Sequence, residues 1–269
     1  MSFFRYPGGK AKIRSFILEK IKSKIQIQYR EPFFGGGSIG LNFLETNRVN
    51  SVWINDIDKG IASIWISVIK YPNELKEKVM SFVPSVDYFF KFKKELIDNM
   101  IEMDCKESVI DYGFKKLAIH QISYSGLGTK SGGPLGGKTQ KSKYKIDCRW
   151  SPGYICKKID KFHALFSMFD VKCDSIDFSE LIEDERYESV IYLDPPYYIK
   201  GNDLYQEGFT EEDHKRLSRL LKNTKHQWIL SYDDCDEVRD LYSWANIDEI
   251  EINYSITGAR EKKELLIYS

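Results

Sequence analysis

The feature that most narrows the fold of this 269-residue chain is the run Val190-Ile191-Tyr192-Leu193, followed at once by Asp194-Pro195-Pro196-Tyr197. Consecutive apolar residues without alternation predict a strand buried on both faces, as in a parallel sheet covered by helices. Two prolines then fix φ and remove two backbone donors, so the strand has to stop there. In open α/β sheets, ligands gather beyond the carboxyl ends of the strands. The tetrapeptide at 194–197 therefore stands where chemistry would be done.

The rest of the chain is consistent with such a sheet. Residues 11–24 carry Ile13, Ile17, Leu18 and Ile21 at helical spacing, and 25–30 read as a strand. A helix restarts over 39–45, and Val52-Trp53-Ile54 predicts a strand that ends at Asn55-Asp56. From about 60 to 120 the pattern is helical, with breaks at Pro72 and Pro84. Trp228-Ile229-Leu230 predicts another buried strand. Ile250, Ile252, Tyr254 and Ile256 alternate with polar residues, and Leu265 to Tyr268 follow a Thr257-Gly258 turn, which predicts a terminal β-hairpin. Strand-helix alternation at both ends implies an α/β, doubly wound, Rossmann-like domain made of 1–62 and 155–269. Residues 63–154 then form a mainly helical insertion.

Charge and cysteine usage exclude several classes. Five scattered cysteines form no C-x-x-C pair and four histidines are equally dispersed, so neither a disulfide framework nor a metal site is expected. No apolar run approaches the roughly 20 residues that span a bilayer, and Met1-Ser2-Phe3-Phe4-Arg5 does not read as a secretion signal, so a cytoplasmic protein is expected. The net charge is +0, but its distribution is uneven. Residues 1–30 hold Arg5, Lys10, Lys12, Arg14, Lys20, Lys22, Lys24 and Arg30 against Glu19 alone, and a second basic stretch runs from Lys130 to Lys161. Such asymmetry offers a polyanion one preferred face.

Two motifs carry chemistry. Gly35-Gly36-Gly37, between a strand and a helix, lets backbone approach a ligand closely. Asp56, at the end of the next strand, is placed to accept two hydrogen bonds from a ribose diol. Asp194-Pro195-Pro196-Tyr197 combines a carboxylate, outward carbonyls and an aromatic face. That set suits a planar amine on a heteroaromatic ring: both amine hydrogens can be accepted while the ring stacks on Tyr197. Adenine's amine is a poor nucleophile because its lone pair is delocalised. Holding both hydrogens favours a pyramidal nitrogen that can attack a sulfonium methyl in line, which is orientation plus electrostatic stabilisation.

Five ordered segments resemble the Dam-type, class α, N6-adenine DNA methyltransferases. They are Arg5-Tyr6-Pro7-Gly8-Gly9-Lys10, Glu31 to Gly37, Asn55-Asp56-Ile57-Asp58, Asp194 to Tyr197, and Arg260 to Leu266. The resemblance implies a methyltransferase fold that binds S-adenosylmethionine, with the stretch between the cofactor loop and the tetrapeptide reading the target. It implies that Tyr6 and Lys10 close on the cofactor and that Phe34, Gly35 and Gly37 line its methionine part. Asp56 would hold the ribose, and Asp177 and Phe178 the adenine. Asp194, Pro195, Pro196 and Tyr197 would act in catalysis, with Asp194 also facing the cofactor. Tyr205, Phe209 and His214 match a pattern downstream, in substrate-side or framework roles. The implied activity is methyl transfer to an adenine flipped out of double-stranded DNA, by a monomer with no required metal.

The middle departs from that pattern. Ser123 to Lys138 holds six of the 18 glycines, among them Gly132-Gly133-Pro134-Leu135-Gly136-Gly137. This predicts a long loop that orders on DNA, and it leaves the target sequence open. Lys130, Lys138, Lys143 and Arg149 are the candidate DNA contacts, with Trp150 either a base reader or a buried anchor. An RNA or protein amine methyltransferase, and a DNA-binding protein with an inactive cofactor site, are the alternatives. The glycine spacing is a poor match to a dehydrogenase.

Overall fold

The computed structural model describes residues 3–4, 10, 13–21, 28–46, 49–98, 101–199, 208–252 and 262–269, with the side chains of 251, 252 and 262 left aside. All structural statements concern these residues. Tyr6, Tyr205, the Thr257-Gly258 turn and Arg260 lie outside them.

Seven strands form one mixed sheet in the order β3-β2-β1-β4-β5-β7-β6. They are β1 (Gln28–Glu31), β2 (Ser51–Asn55), β3 (Asp170–Asp174), β4 (Ser189–Leu193), β5 (Gln227–Asp233), β6 (Asn246–Ile252) and β7 (Lys262–Tyr268). The first five run parallel, and β7 pairs antiparallel with both β5 and β6. The predicted terminal hairpin is therefore present as a strand pair, and β6 begins at Asn246, earlier than the alternation at 250–256 suggests. All of β4 is buried, as its apolar run requires.

The side-chain period of two sorts the core into two layers. Val190, Tyr192, Ile229 and Leu266 join one apolar cluster, whereas Ile191, Leu193, Trp228, Leu230, Leu265 and Ile267 join the other. The first layer is covered by α1 (Arg14–Lys20), α2 (Gly40–Glu45), α3 (Lys59–Lys70), α4 (Pro72–Ser81), α5 (Val86–Asp98), α6 (Lys106–Ile122) and α7 (Pro152–Phe166). The second is covered by α8 (Phe178–Glu183), α9 (Glu211–Asn223) and α10 (Asp236–Leu241).

Local chemistry sets the helix ends. Asp58 caps α3, its Oδ1 accepting from the amides of Gly60 (2.8 Å) and Ile61 (3.3 Å). Pro72 opens α4 in the first turn, where a missing N–H is harmless. Thr210 and Asp213 form a reciprocal capping box at α9. Gly113 lets α6 lie against α3: a Cβ there would stand 2.6 Å from the Ser63 carbonyl oxygen. The helical stretch between 60 and 120 breaks at Pro72 and Pro84 as read, and again between α5 and α6, which the periodicity did not signal. The boundary at residue 62 falls inside α3, whose Ile61, Ile64 and Trp65 share one apolar cluster with Val52, Phe89 and Phe114.

Candidate active site

The order of the sheet reverses between β1 and β4, and there the ends of the strands bring together segments far apart in sequence. The carboxyl end of β1 gives Glu31 and the glycine turn, β2 gives Asp56, and β4 gives Asp194. This is the crevice in which doubly wound sheets hold ligands.

On the β1–β2 side, Gly35 and Gly37 have φ values of 47° and 67°, a left-handed backbone that other residues adopt at a cost. The turn is tied to the next strand: the Gly35 amide donates to Asp56 Oδ2 at 2.8 Å and Trp65 Nε1 donates to the Gly35 carbonyl at 2.8 Å. Asp56 Oδ1 accepts from the Asp58 amide at 3.0 Å. Each oxygen of this buried carboxylate thus has one fixed donor and room for another. Burial, with the Asp58 charge nearby, pushes its pKa up to about 7. The Phe34 ring packs under the turn and into the core, against Trp65 at 4.9 Å. A methyl group at Gly37 would collide with that ring at 2.8 Å.

On the β4 side, Pro195 and Pro196 are buried and the loop is held from beneath. Asp233 at the end of β5 accepts from the amides of Tyr198 (3.0 Å) and Ile199 (3.1 Å). Asp194 keeps 23% of its side-chain surface open. Its Oδ1 lies 3.0 Å from Lys10 Nζ and accepts from Ser231 Oγ at 3.3 Å. Lys10 also donates to Glu264 on β7 and to the Tyr197 hydroxyl, and that hydroxyl donates to Glu264. Burial raises the Asp194 pKa to about 6; Lys10 opposes the shift and Glu264 adds to it. Burial alone would lower the Lys10 pKa, but the Asp194 and Glu264 carboxylates outweigh it and the net shift is upward. Burial and the two nearby carboxylates push the Tyr197 phenol up, so it stays a proton donor. Glu31 is buried between the two sides, accepting from the Tyr29 hydroxyl at 2.6 Å. Burial raises its pKa well above the usual range, and the charges of Asp194 and Asp56 both add to that.

An aromatic wall closes the side toward α8. Phe33 packs on Phe178 at 5.6 Å and on Phe209 at 5.8 Å. The Arg216 guanidinium sits 4.3 Å over the Phe178 ring and holds Asp177 through two bonds of 2.8 Å. Burial works against ionisation of Asp177, but Arg216 and Ser179 prevail and hold its pKa at about 2. Phe209 is a core aromatic, and His214 contacts the Tyr232 hydroxyl beneath it.

The glycine-rich stretch after α6 is built of short turns and hydrogen bonds back to the end of that helix. The Tyr124 amide donates to Gly133 at 3.0 Å, the Leu135 amide to Ile122 at 2.8 Å, and short 3₁₀ turns form at Tyr124–Gly126 and Gly128–Lys130. Gly126, Gly128, Gly136 and Gly137 have positive φ, so glycines that would weaken a helix serve left-handed turns here. Lys130, Lys138, Lys143 and Arg149 are all exposed, and Tyr124 beside them is 64% exposed. Trp150 is buried against Phe82 at 5.1 Å, which is the anchor rather than the base reader.

Glu264, Glu31, Asp233, Ser231, Phe33 and Arg216 carry no role in the sequence reading. Glu264 had a signal: a carboxylate directly before Leu265-Leu266-Ile267 stands in a strand otherwise set for burial. Among the described residues no cluster of three or more His, Cys, Asp or Glu could hold a metal ion, and no helix is long and apolar enough to cross a membrane.

A crevice with an acid beside a glycine turn on one side, and an Asp-Pro-Pro-Tyr loop on the other, is the arrangement that the resemblance implies for an enzyme acting on a nucleobase amine. A family model described as the D12 class N6 adenine-specific DNA methyltransferase matches residues 6–256, and the chain belongs to that family. It is an enzyme that methylates adenine N6 in DNA. Over 290 residues the chain is 22% identical to the Type II methyltransferase M.MjaIII of Methanocaldococcus jannaschii, with 99% of this chain and 96% of that protein covered. Precorrin 8w decarboxylase from Methanobacterium thermoautotrophicum aligns at a TM-score of 0.40 and 10% identity, over 96% of this chain and 89% of that one. A likeness so low carries no argument.

Proposed function

We propose that this enzyme is a Dam-type, class α methyltransferase that transfers a methyl group from S-adenosylmethionine to N6 of an adenine flipped out of double-stranded DNA, at one target sequence. The observation that carries the reading is the pairing of Asp194 and Tyr197 at the end of β4 with Asp56 at the end of β2, across the reversal of the sheet. The order of glycine turn, helical region and Asp-Pro-Pro-Tyr supports class α.

The residues fit the cofactor. Asp56 has acceptor capacity left for a diol, the glycine turn offers backbone without side chains, and Phe33 and Phe178 give an aromatic wall for a purine. When bound, the cofactor supplies an electrophilic methyl on a sulfonium. In this reading Asp56 holds the ribose and Phe178 the adenine, with Asp177 kept ionised by Arg216 at the wall's edge. Gly35 and Gly37 leave room for the methionine part. Tyr6, outside the described residues, and Lys10 close over it. Phe34 borders the turn, its ring packed under Gly37.

Asp194 and the carbonyls of the proline turn accept the two amine hydrogens of adenine, while Tyr197 stacks on its ring. Asp194 is open enough to be reached and dry enough for its hydrogen bond to be strong. Asp233 fixes the following backbone, so the tetrapeptide is set before substrate arrives. The proton released from nitrogen has Asp194 as its nearest acceptor.

Residues 63–154 read the target, with α3 shared across the boundary. Lys130, Lys138, Lys143 and Arg149 neutralise phosphates, and flipping the base costs a few kcal/mol. The protein works as a cytoplasmic monomer, with no required metal, in a restriction-modification setting. The test is incubation with methyl-labelled S-adenosylmethionine and duplex DNA, RNA or protein. N6-methyladenine in the duplex at one sequence is expected; label in RNA or protein alone overturns the reading.

A further inference from the structure

Two polar side chains lie buried in α6 without a part in methyl transfer: Lys116, 3% exposed, and His120, 4% exposed, one helical turn apart. Desolvating a lysine is expensive unless its charge is met. Here it meets Asp58, whose Oδ2 pairs with the ammonium while Oδ1 caps α3. The lysine stem crosses Gly60 so closely that a Cβ there would come within 2.8 Å of Lys116 Cδ. On the other side of this pair the Asp58 amide donates to Asp56, the acid assigned to the ribose.

One turn further along α6, His120 Nδ1 lies 2.9 Å from the Gly126 carbonyl. Burial lowers the His120 pKa to about 4, so the ring is neutral and Nδ1 is the nitrogen that carries the proton. The loop folds over the ring: Gly126 and Gly128 have φ values of 73° and 58°, and a Cβ on Gly128 would lie 2.9 Å from His120 Cε1. This is the loop that presents Tyr124 and Lys130. A continuous line thus runs from the glycine turn through Asp56, Asp58, Lys116 and His120 to the backbone at 126–128.

We propose that Lys116 and His120 are positioning residues that couple the cofactor acid to the DNA-facing loop, so that filling either site tightens binding at the other. This rests on the function proposed above. Asp56 and Asp58 are like charges two residues apart, and Lys116 ties the second of them to α6. A ligand that immobilises Asp56 also immobilises the Asp58 amide, and through Lys116 the helix that carries His120. The loop then has less freedom left to lose when DNA arrives, which is cooperativity through rigidity. Reciprocity follows from linkage.

The experiment measures the dissociation constant of a fluorescent duplex, carrying the site mapped by methylation sequencing, with and without S-adenosylhomocysteine. The wild-type protein should bind the duplex about tenfold more tightly with that ligand, within the usual span of allosteric coupling. Lys116→Met and His120→Phe should bring the ratio to about 1–2, with the duplex-free affinity for S-adenosylhomocysteine unchanged. Because Lys116→Met leaves Asp58 unpaired, the double variant Asp58→Asn/Lys116→Met, neutral at both positions, is measured alongside it and should lose the ratio too. A merely structural role would lower the melting temperature and leave the ratio intact, and that result overturns the proposal, as does a wild-type ratio of 1. Asp194→Ala should lose methyl transfer and keep the ratio. If S-adenosylhomocysteine fails to bind the wild type at all, the proposed function itself has failed.

Discussion

Lys10 Nζ lies 3.0 Å from Asp194 Oδ1, so an ammonium holds the carboxylate that a nucleobase amine is expected to engage. Glu264 decides how firmly it is held, because Lys10 and the Tyr197 hydroxyl both bond to that residue. With Glu264 charged, Lys10 is shared between two acids and Asp194 is left with capacity for substrate. Glu264→Gln keeps an acceptor for Tyr197 but gives Lys10 only one anionic partner. The single-turnover methylation rate should fall about 10- to 100-fold, the scale of a misplaced positioning contact, with cofactor affinity changed far less. An unchanged rate would remove Glu264 from the site.

Asp194 itself has a sharper expectation. In the proposed reading its carboxylate is a charged acceptor for the amine, and removing a preorganised group of this kind typically costs about 10²–10³ in rate. Asp194→Ala should drop methylation by at least that much while S-adenosylmethionine still binds in calorimetry, since Asp56 and the glycine turn lie on other strands. Turnover near the wild-type level would refute the assignment.

Acidity adds a test in which rate and stability move in opposite directions. Burial raises Asp56 to about 7 and Asp194 to about 6, each from an ordinary 3.8. Only the ionised carboxylate accepts at both oxygens and carries the charge that strengthens those bonds, so the methylation rate should rise with pH through roughly 6–7. For stability the sign is reversed. A folded-state pKa above the unfolded one stabilises the protein below about pH 4, and that contribution is lost as pH climbs through the raised value. Asp194→Asn removes one such group, so its melting temperature relative to wild type should be more favourable at pH 8 than at pH 5. Calorimetry at the two values checks this, and a difference that shrinks at pH 8 contradicts the burial of that carboxylate.

Arg30 is fully buried in β1 and satisfied on every side. Its guanidinium donates to the carbonyls of Leu181 (2.6 Å), Asp184 (2.7 Å) and Tyr187 (3.3 Å), and to Gln28 Oε1 at 2.8 Å. Burial lowers its pKa to about 10, with Asp184 countering, and it remains charged at neutral pH. It ties the end of α8 to the sheet beneath the aromatic wall. Arg30→Met fills the volume and strands those carbonyls, which should lower stability by about 3–5 kcal/mol. Urea unfolding would measure it; a loss below about 1 kcal/mol would mean that solvent replaces the guanidinium.

How much of this was legible depended on whether a signal was local. Val190 to Leu193 announced a doubly buried strand because four apolar residues leave no polar face, and the doubly wound class followed from such strands alternating with helices, whereas the strand order did not. The positions of Asp56 and Asp194 were legible because each follows the last residue of an apolar strand. By contrast β3, Asp170-Val171-Lys172-Cys173-Asp174, was invisible: an edge strand needs little apolar surface, and Lys172 covers the Trp53 ring at 3.6 Å instead. The contacts of Glu264 to Lys10, 254 positions apart, arise only when β7 is laid beside β5. Phe34 faces the core because Trp65 waits there, a tertiary fact no spacing contains. The glycine stretch was legible only as a loop: glycine's freedom permits many paths, and the left-handed turns that wrap His120 are a tertiary choice among them.

The last expectation concerns the exposed basic stretch. Phosphate contacts release counterions, and each one lost should lower the slope of log affinity against log salt by about 1, without changing sequence preference. Lys138 lies 5.3 Å above the Phe90 ring, which restricts its stem before DNA arrives, whereas Lys143 stands exposed further along the loop. Ala substitution at either should weaken binding evenly on target and unrelated duplexes and reduce the salt slope. Lys138 should lose more, since less entropy is spent fixing it. Lys225 is a fitting control: it precedes β5 at the amino end of the parallel strands, away from the crevice, and pairs with Glu185. Lys225→Ala should leave the slope unchanged. Equal slopes for all three variants and wild type would take the 123–149 surface out of the DNA interface, and the search would move to the basic residues that precede β1.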